Sequence, residues 1–73
     1  MPKPSTKSIF GKALRALREQ RGYSQEELAE RAGLHRNYVG GVERGERNVA
    51  LENIVKLALA LSVRTKELFD SLP

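Results

Sequence analysis

The feature that most constrains the fold of this chain is a helix start at Ser24, followed closely by a helix end at Gly33. The segment Ser24-Gln25-Glu26-Glu27 carries a hydroxyl at the N-cap position and a carboxylate three residues later, which is the arrangement called a capping box. Gly33 is of a residue type that commonly closes helices, because glycine adopts the left-handed backbone easily. The sequence therefore predicts a helix of barely two turns.

Apolar residues recur three and four positions apart through most of the remaining chain, as amphipathic helices require. No stretch of useful length alternates with a period of two, so no sheet is predicted. The sequence defines the start of the fourth predicted helix only to within a residue or two, because Ala50 has no capping side chain. The predicted fold is all-α, with five helices near residues 8–21, 25–32, 36–44, 51–61 and 66–72.

Length and composition exclude several classes of protein. A chain of 73 residues has room for one compact core. It contains no cysteine and a single histidine, His35, so we predict no disulfide, no metal site and no other cofactor. Because no run of about 18 apolar residues and no signal peptide is present, we expect a cytoplasmic protein with no membrane contact. The net charge of +4 suits a polyanionic partner, and solubility is the alternative explanation for it.

The two ends of the chain differ in character. Residues 1–7 contain two prolines, two lysines and no apolar periodicity, and they are predicted to form a flexible basic arm. Residues 8–73 carry all of the predicted helices and form the single predicted domain. Lys3 and Lys7 of the arm either contact the polyanionic partner or belong to a solubilising tail.

The second and third predicted helices, with the short turn at Gly33 between them, have the dimensions of a helix-turn-helix. In this arrangement the first helix lies against the DNA backbone. The second inserts its N-terminal residues into the major groove, which is about 12 Å wide. Arg36 and Asn37 open the third helix, and their side chains suit the edges of guanine and adenine respectively. Ordinary surface polarity is the alternative explanation for both residues.

Several segments, taken together, resemble the lambda-repressor-like helix-turn-helix family, also called Cro/C1-type or XRE. This family includes phage repressors and restriction-modification controller proteins. The resemblance extends over residues 8–72, and the segments that carry it are residues 14–19, 24–29, 32–34, 38–39 and 42–48. It implies a compact five-helix fold and a prokaryotic DNA-binding transcription regulator.

The resemblance also implies which residues contact DNA. Arg36 and Asn37 match base-reading positions of the family, as do Gly40 and Gly41, which offer only backbone. The residues that match phosphate contacts are Gln25, Tyr38, Arg44, Arg47 and Asn48. For Gln25, Arg47 and Asn48, a solvated surface position is the alternative.

Three further residues have an implied role near the third helix. Arg18 and Glu43 match an internal ion pair that joins the first helix to the end of the third. His35 stands where the family often has a serine, threonine or aspartate cap, and its imidazole is considered a phosphate contact as well as a cap. Two adjacent glycines each cost a helix about 0.8–1 kcal/mol relative to alanine, so either packing or a close approach must explain them.

We expect the chain to bind double-stranded DNA as a homodimer on a palindromic operator. The predicted contact between copies is made by Leu68, Phe69 and Leu72 of the fifth helix, which alternatively complete the core of one copy. No small-molecule ligand is predicted. No enzyme signature is present, because Ser24 is explained as a cap and no nucleophile, base and orienting group occur together. The alternative class of function is a protein-interaction module, such as an antitoxin or adaptor.

Overall fold

The secondary structure is helical throughout the part of the chain that the computed structural model describes, residues 4–73, in which no strand occurs. The elements are the α-helices α1 (Thr6–Gln20), α2 (Gln25–Ala32), α3 (Arg36–Glu43) and α4 (Leu51–Leu61), followed by a 3-10 helix (Thr65–Leu68). The prediction of an all-α fold is confirmed. The prediction of five α-helices is wrong in its last member.

Side-chain caps determine where α1 and α2 begin. The Ser5 hydroxyl accepts a hydrogen bond from the Ser8 amide at 3.1 Å, so α1 starts at Thr6, two residues before the predicted domain boundary. Residues 1–3 of the predicted arm lie outside the described residues. The Ser24 hydroxyl accepts from the Glu27 amide at 3.0 Å, as predicted. The return bond of a capping box, from the Ser24 amide to the Glu27 carboxylate, is not formed, and this carboxylate accepts instead from Arg31 of the same helix at 3.0 Å.

One apolar core joins all of the helices. Its buried side chains are Phe10, Leu14, Leu28, Ala29, Ala32, Val39, Val42, Ile54, Leu57, Ala58, Leu61 and Leu68. The helix α4 begins at Leu51 without a side-chain cap on Ala50, and its apolar residues at helical spacing supply four of these side chains. Burial of such side chains contributes about 1.5–3 kcal/mol each for leucine and valine, so packing stabilises helices that are individually short.

The end of the chain differs from its prediction. The amides of Phe69 and Leu72 bond to carbonyls three residues earlier, at 3.0 and 2.9 Å, which is the pattern of 3-10 turns and not of an α-helix. This tighter winding turns Leu68 fully into the core. Leu68 is therefore unavailable for the predicted contact between copies. Phe69 packs against Phe10, with ring centroids 5.8 Å apart, and remains 37% exposed.

The position of α3 is determined by a close approach to α1. At Gly11 the backbone of α1 touches the last turn of α3, and a Cβ there would collide with the carbonyl oxygens of Val42 and Glu43. Only glycine permits this contact, so α1 supports the C-terminal end of α3 directly. Among the described residues, no helix has the length and apolar character needed to cross a membrane.

Candidate nucleic-acid interface

The turn between α2 and α3 sets the angle of the two helices. Gly33 has a φ of +70°, a left-handed conformation that glycine adopts without strain. The amide of Leu34 donates a hydrogen bond to the Ala29 carbonyl at 2.8 Å, and the Leu34 side chain packs on the core. These two contacts fix the start of α3, so the helix-turn-helix geometry predicted from Gly33 is present.

An ion pair connects α1, α2 and α3 behind this turn. Arg18 donates to both carboxylate oxygens of Glu43, from Nε at 2.6 Å and from Nη2 at 3.0 Å, and its Nη1 donates to the Tyr23 carbonyl at 2.8 Å. The Arg18 and Glu43 side chains are 12% and 3% exposed. Hydrogen bonding to Glu43 raises the pKa of Arg18 above its ordinary value, although burial opposes the shift. Glu43 therefore stabilises the charged form of the guanidinium group. These are the two residues for which the resemblance implied an ion pair.

Gln25 belongs to the same network. Its Nε2 donates to Glu43 Oε1 at 3.0 Å. Because a side-chain amide has two N–H groups, one remains for a phosphate oxygen. The phosphate contact implied for Gln25 is therefore compatible with its position, at the start of α2 where backbone amides also face outward.

The first turn of α3 is at the surface. Both Arg36 and Asn37 are exposed, and Arg36 Nη1 forms an ion pair with Glu26 Oε2 at 3.1 Å, in which the Arg36 side chain is 63% exposed. The two residues open onto a shallow groove of about 590 Å³ between α2 and α3. The groove is lined by Arg18, Ser24, Gln25, Glu26, Arg36, Asn37, Gly40 and Arg44.

His35 caps α3. Its Nδ1 accepts a hydrogen bond from the Asn37 amide at 3.0 Å, so histidine performs here the task of the more usual serine or aspartate. A neutral imidazole that accepts at Nδ1 carries its proton on Nε2. The cap therefore leaves one donor on the ring that could bind a phosphate.

Tyr38 and Arg47 form a second cluster beside the groove. The Tyr38 hydroxyl accepts from Nδ2 of Asn53 at 3.1 Å, and the Arg47 guanidinium lies 5.7 Å from the centre of the Tyr38 ring. Sequence reasoning missed Asn53. Its signal was an amide next to the buried Ile54 in the amphipathic helix α4, and it is half-buried in the structure.

The two glycines of α3 are covered by side chains. Both are buried, Gly40 beneath Arg44 and Gln25, and Gly41 beneath Arg47. The prediction that these positions present bare backbone to a base therefore differs from the structure. Long polar side chains fold back over the helix at the points where α3 has no side chain of its own.

The remaining predicted residues lie at the edges of this surface. Arg44 caps the end of α3 and forms an ion pair with Glu46 at 3.0 Å. Asn48 is not in the groove, because it lines a separate apolar pocket with Lys7 and Phe10. In the described part of the chain, no group of histidine, cysteine and carboxylate side chains is arranged to hold a metal ion. The structure thus brings together most of the predicted residues and leaves Asn48 apart.

Comparison with known proteins shows the family to which the chain is similar. The chain matches the family described as Helix-turn-helix over residues 14–68. Control protein C.BamHI from Bacillus amyloliquefaciens is 46% identical over 63 residues, which cover 85% of this chain and 78% of that protein. Control protein C.SmaI from Serratia marcescens is 47% identical over 62 residues, which cover 85% and 74% of the two chains.

A solved structure shares the whole arrangement of helices. The restriction-modification controller protein C.AhdI from Aeromonas hydrophila has a TM-score of 0.86 and 59% sequence identity to this chain, and the match covers 86% of this chain and 96% of that one. All three of these proteins are named as controllers, and none as an enzyme.

Proposed function

The chain belongs to the Cro/C1-type helix-turn-helix family of DNA-binding transcription regulators, and on this premise we propose that it recognises a specific double-stranded sequence through α3. The observation that carries the proposal is the exposure of Arg36 and Asn37 at the first turn of α3. A major groove admits one helix, and side chains at its N-terminal end reach the base edges. Arg36 binds guanine O6 and N7, and Asn37 binds adenine N6 and N7.

Contacts with the DNA backbone would come from both sides of α3. On one side are Gln25 and the outward amides of the α2 N-terminus. Arg44 lies on this side too, since it meets Gln25 over Gly40, whereas Arg47 lies over Gly41 on the other side; both arginine side chains are exposed. Such contacts fix the register of the protein on the duplex without reading its sequence. His35 Nε2 adds a further donor to this set.

The names of the similar proteins suggest which genes the chain regulates. Since C.AhdI is a restriction-modification controller protein and is 59% identical to this chain, we propose that the chain also controls a restriction-modification system. The shared fold, and a match that covers 96% of the C.AhdI chain, support this assignment.

The protein is proposed to act as a homodimer whose contact lies on α4. Leu51, Val55 and Leu59 follow one another at four-residue spacing, and they are 72%, 41% and 73% exposed. Large apolar side chains at this spacing form an apolar stripe on the helix that nothing in one copy covers. This stripe replaces the predicted interface on the fifth helix, of which Leu68 is buried.

Charges beside the stripe favour an antiparallel pair of α4 helices. If Val55 lies on the two-fold axis, Leu51 of one copy faces the partner's Leu59. Glu52 and Lys56 lie along the same edge of the stripe, so Glu52 of each copy comes beside Lys56 of the other. A symmetric dimer of this kind would read two half-sites related by two-fold symmetry, hence a palindromic operator.

The proposal is tested by selecting bound sites from random duplex DNA at about 50 and 200 mM salt. We expect one sequence to be enriched, with two-fold symmetry, and its affinity to fall steeply at the higher salt concentration. Lys12→Ala is the matched control, because it removes one exposed cation from α1, outside the groove. Absence of enrichment, together with no binding to any duplex at the lower salt concentration, would refute the proposed function.

A further inference from the structure

Two adjacent glycines in the middle of α3 are unexpected. Gly40 and Gly41 occupy positions at which alanine would form a better helix. Neither has a positive φ, so backbone conformation does not require glycine at either position. Neither is packed against the backbone of another helix, in contrast to Gly11. What lies above them must explain their presence.

The side chain of Arg47 lies directly above Gly41. A Cβ added there would be 3.0 Å from Nε of Arg47, 3.1 Å from its Cδ and 3.3 Å from its Cγ. These distances are shorter than ordinary van der Waals contact, so the stem of Arg47 rests directly on the glycine. The guanidinium of the same residue lies over the Tyr38 ring, and Asn53 holds the hydroxyl of that ring. Arg47 is thus supported along its whole length.

The arrangement repeats one residue earlier. A Cβ at Gly40 would be 3.0 Å from Nη1 of Arg44 and 3.2 Å from Oε1 of Gln25. Gln25 is itself held by Glu43 at 3.0 Å. The two glycines therefore form a depression on α3, which we name the glycine surface, and each arginine that follows α3 lies across one half of it.

We propose that Gly40 and Gly41 are positioning residues that hold Arg44 and Arg47 against α3. There the two arginines are placed to bind DNA phosphates on either side of the major groove that α3 enters. This inference rests on the proposed function. An arginine extended into solvent loses side-chain entropy when it binds a phosphate, whereas one already laid on a surface loses less. The two glycines lower the stability of α3, and in return the two arginine side chains are already ordered before DNA binds.

The main test is Gly41→Ala. Alanine raises the helix propensity of α3 and displaces only a flexible, exposed side chain, so the midpoint of urea unfolding should rise. Affinity for the selected operator should fall by roughly three- to tenfold, since a charge-assisted phosphate contact is weakened. The preference between operator and altered sites should stay the same. A variant that merely damaged the fold would lower both stability and affinity.

Two controls isolate the role of Arg47. In an Arg47→Ala background, Gly41→Ala should cause no further loss of affinity, because the side chain it displaces is gone. Ser62→Gly relieves the positive φ of +57° at the end of α4 and so raises stability far from α3. It should leave DNA affinity unchanged, which shows that stabilisation alone does not weaken binding.

A measurement without DNA tests the glycine surface itself. Nuclear magnetic resonance of the free protein should show the side-chain signals of Arg47 shifted by the Tyr38 ring, and this shift should be lost in Gly41→Ala. An unchanged Arg47 signal, or an equal loss of affinity in the presence and absence of Arg47, would overturn the inference. Failure of the parent protein to bind any duplex would instead overturn the proposed function, with the glycine surface still decided by the Arg47 signals.

Discussion

At the scale of single residues, Arg36 must change partners to read a base. In the free protein it is paired with Glu26 at 3.1 Å, and both side chains are well exposed. Ion pairs this exposed contribute only about 0–1 kcal/mol. In the proposed complex, the exchange of Glu26 for a guanine edge would therefore cost little free energy.

Arg36→Ala should change sequence preference at one operator position. We expect a loss of about 1–3 kcal/mol at the base pair that Arg36 contacts, and little discrimination there afterwards. Binding titrations with a set of single-base operator variants measure this. Arg47→Ala is the comparison. It should weaken binding to all sequences alike and reduce the slope of log affinity against log salt concentration by about one. If Arg36→Ala alters neither affinity nor preference, α3 does not read the DNA as proposed.

Glu43→Gln should destabilise the protein markedly. The glutamine keeps the shape but removes the charge that Arg18 requires, and breaking a buried ion pair costs about 3–5 kcal/mol. The free energy of unfolding in urea gives the measurement. The matched control is Glu19→Gln, which breaks the exposed pair between Arg15 and Glu19 and should cost under about 1 kcal/mol. Equal effects of the two substitutions would contradict the structural role of the buried pair.

At the scale of elements, the end of the chain serves the core of one copy. The 3-10 winding of Thr65–Leu68 brings Leu68 fully inside. An α-helix over the same residues would present its apolar side chains along one face, as the sequence prediction assumed. The structure instead has the Arg64 amide bonded to the Glu67 carboxylate at 2.8 Å, which stabilises a single short turn.

Leu68→Ala should therefore lower the stability of the fold by about 2–5 kcal/mol, the usual range for a buried leucine. Thermal or urea unfolding, followed by circular dichroism at several protein concentrations, measures this loss. Lys66→Ala, an exposed change in the same turn, should stay within about 0.5 kcal/mol. A Leu68→Ala protein that is as stable as its parent would place this residue at a surface after all.

At the scale of the whole molecule, the apolar stripe on α4 is the surface that one copy leaves uncovered. Three large apolar side chains exposed on one helix are a feature of association sites, and a scattered distribution would carry no such meaning. In the proposed dimer, the charges of Glu52 and Lys56 would determine how the two copies are oriented. The dimer would be stabilised by apolar burial and oriented by charge.

Exchange of these charges tests the orientation. Glu52→Lys and Lys56→Glu, made singly, should each weaken the dimer, since each creates like-charge contacts with the partner. The double variant should restore it, because both pairs are re-formed with reversed sign. Sedimentation equilibrium measures the dissociation constants. Val55→Asp, at the proposed axis, should give a folded monomer; a dimer that tolerates Val55→Asp would exclude this interface.

Several features were determined by local sequence. The start of α2 at Gln25 and the turn at Gly33 depend on neighbouring residues alone, because caps and left-handed glycines act within one turn of backbone. The apolar spacing of Leu51–Leu61 likewise predicted α4, with its start open by a residue or two, and the helix begins at Leu51. Arg36 and Asn37 were assigned to the first turn of α3 from the sequence, and they lie there at the surface.

Other features were decided only when distant residues met. Gly40 and Gly41 read as exposed backbone in sequence, and the side chains that cover them come from other positions along the chain. Asn53 of α4 binds Tyr38 of α3 across 15 positions, and Leu68 enters a core built from earlier helices. No local pattern records such contacts, since they depend on how whole helices pack. Sequence therefore determined the four α-helices and the turn at Gly33, and tertiary packing decided which of their side chains lie in the core and which stay at the surface.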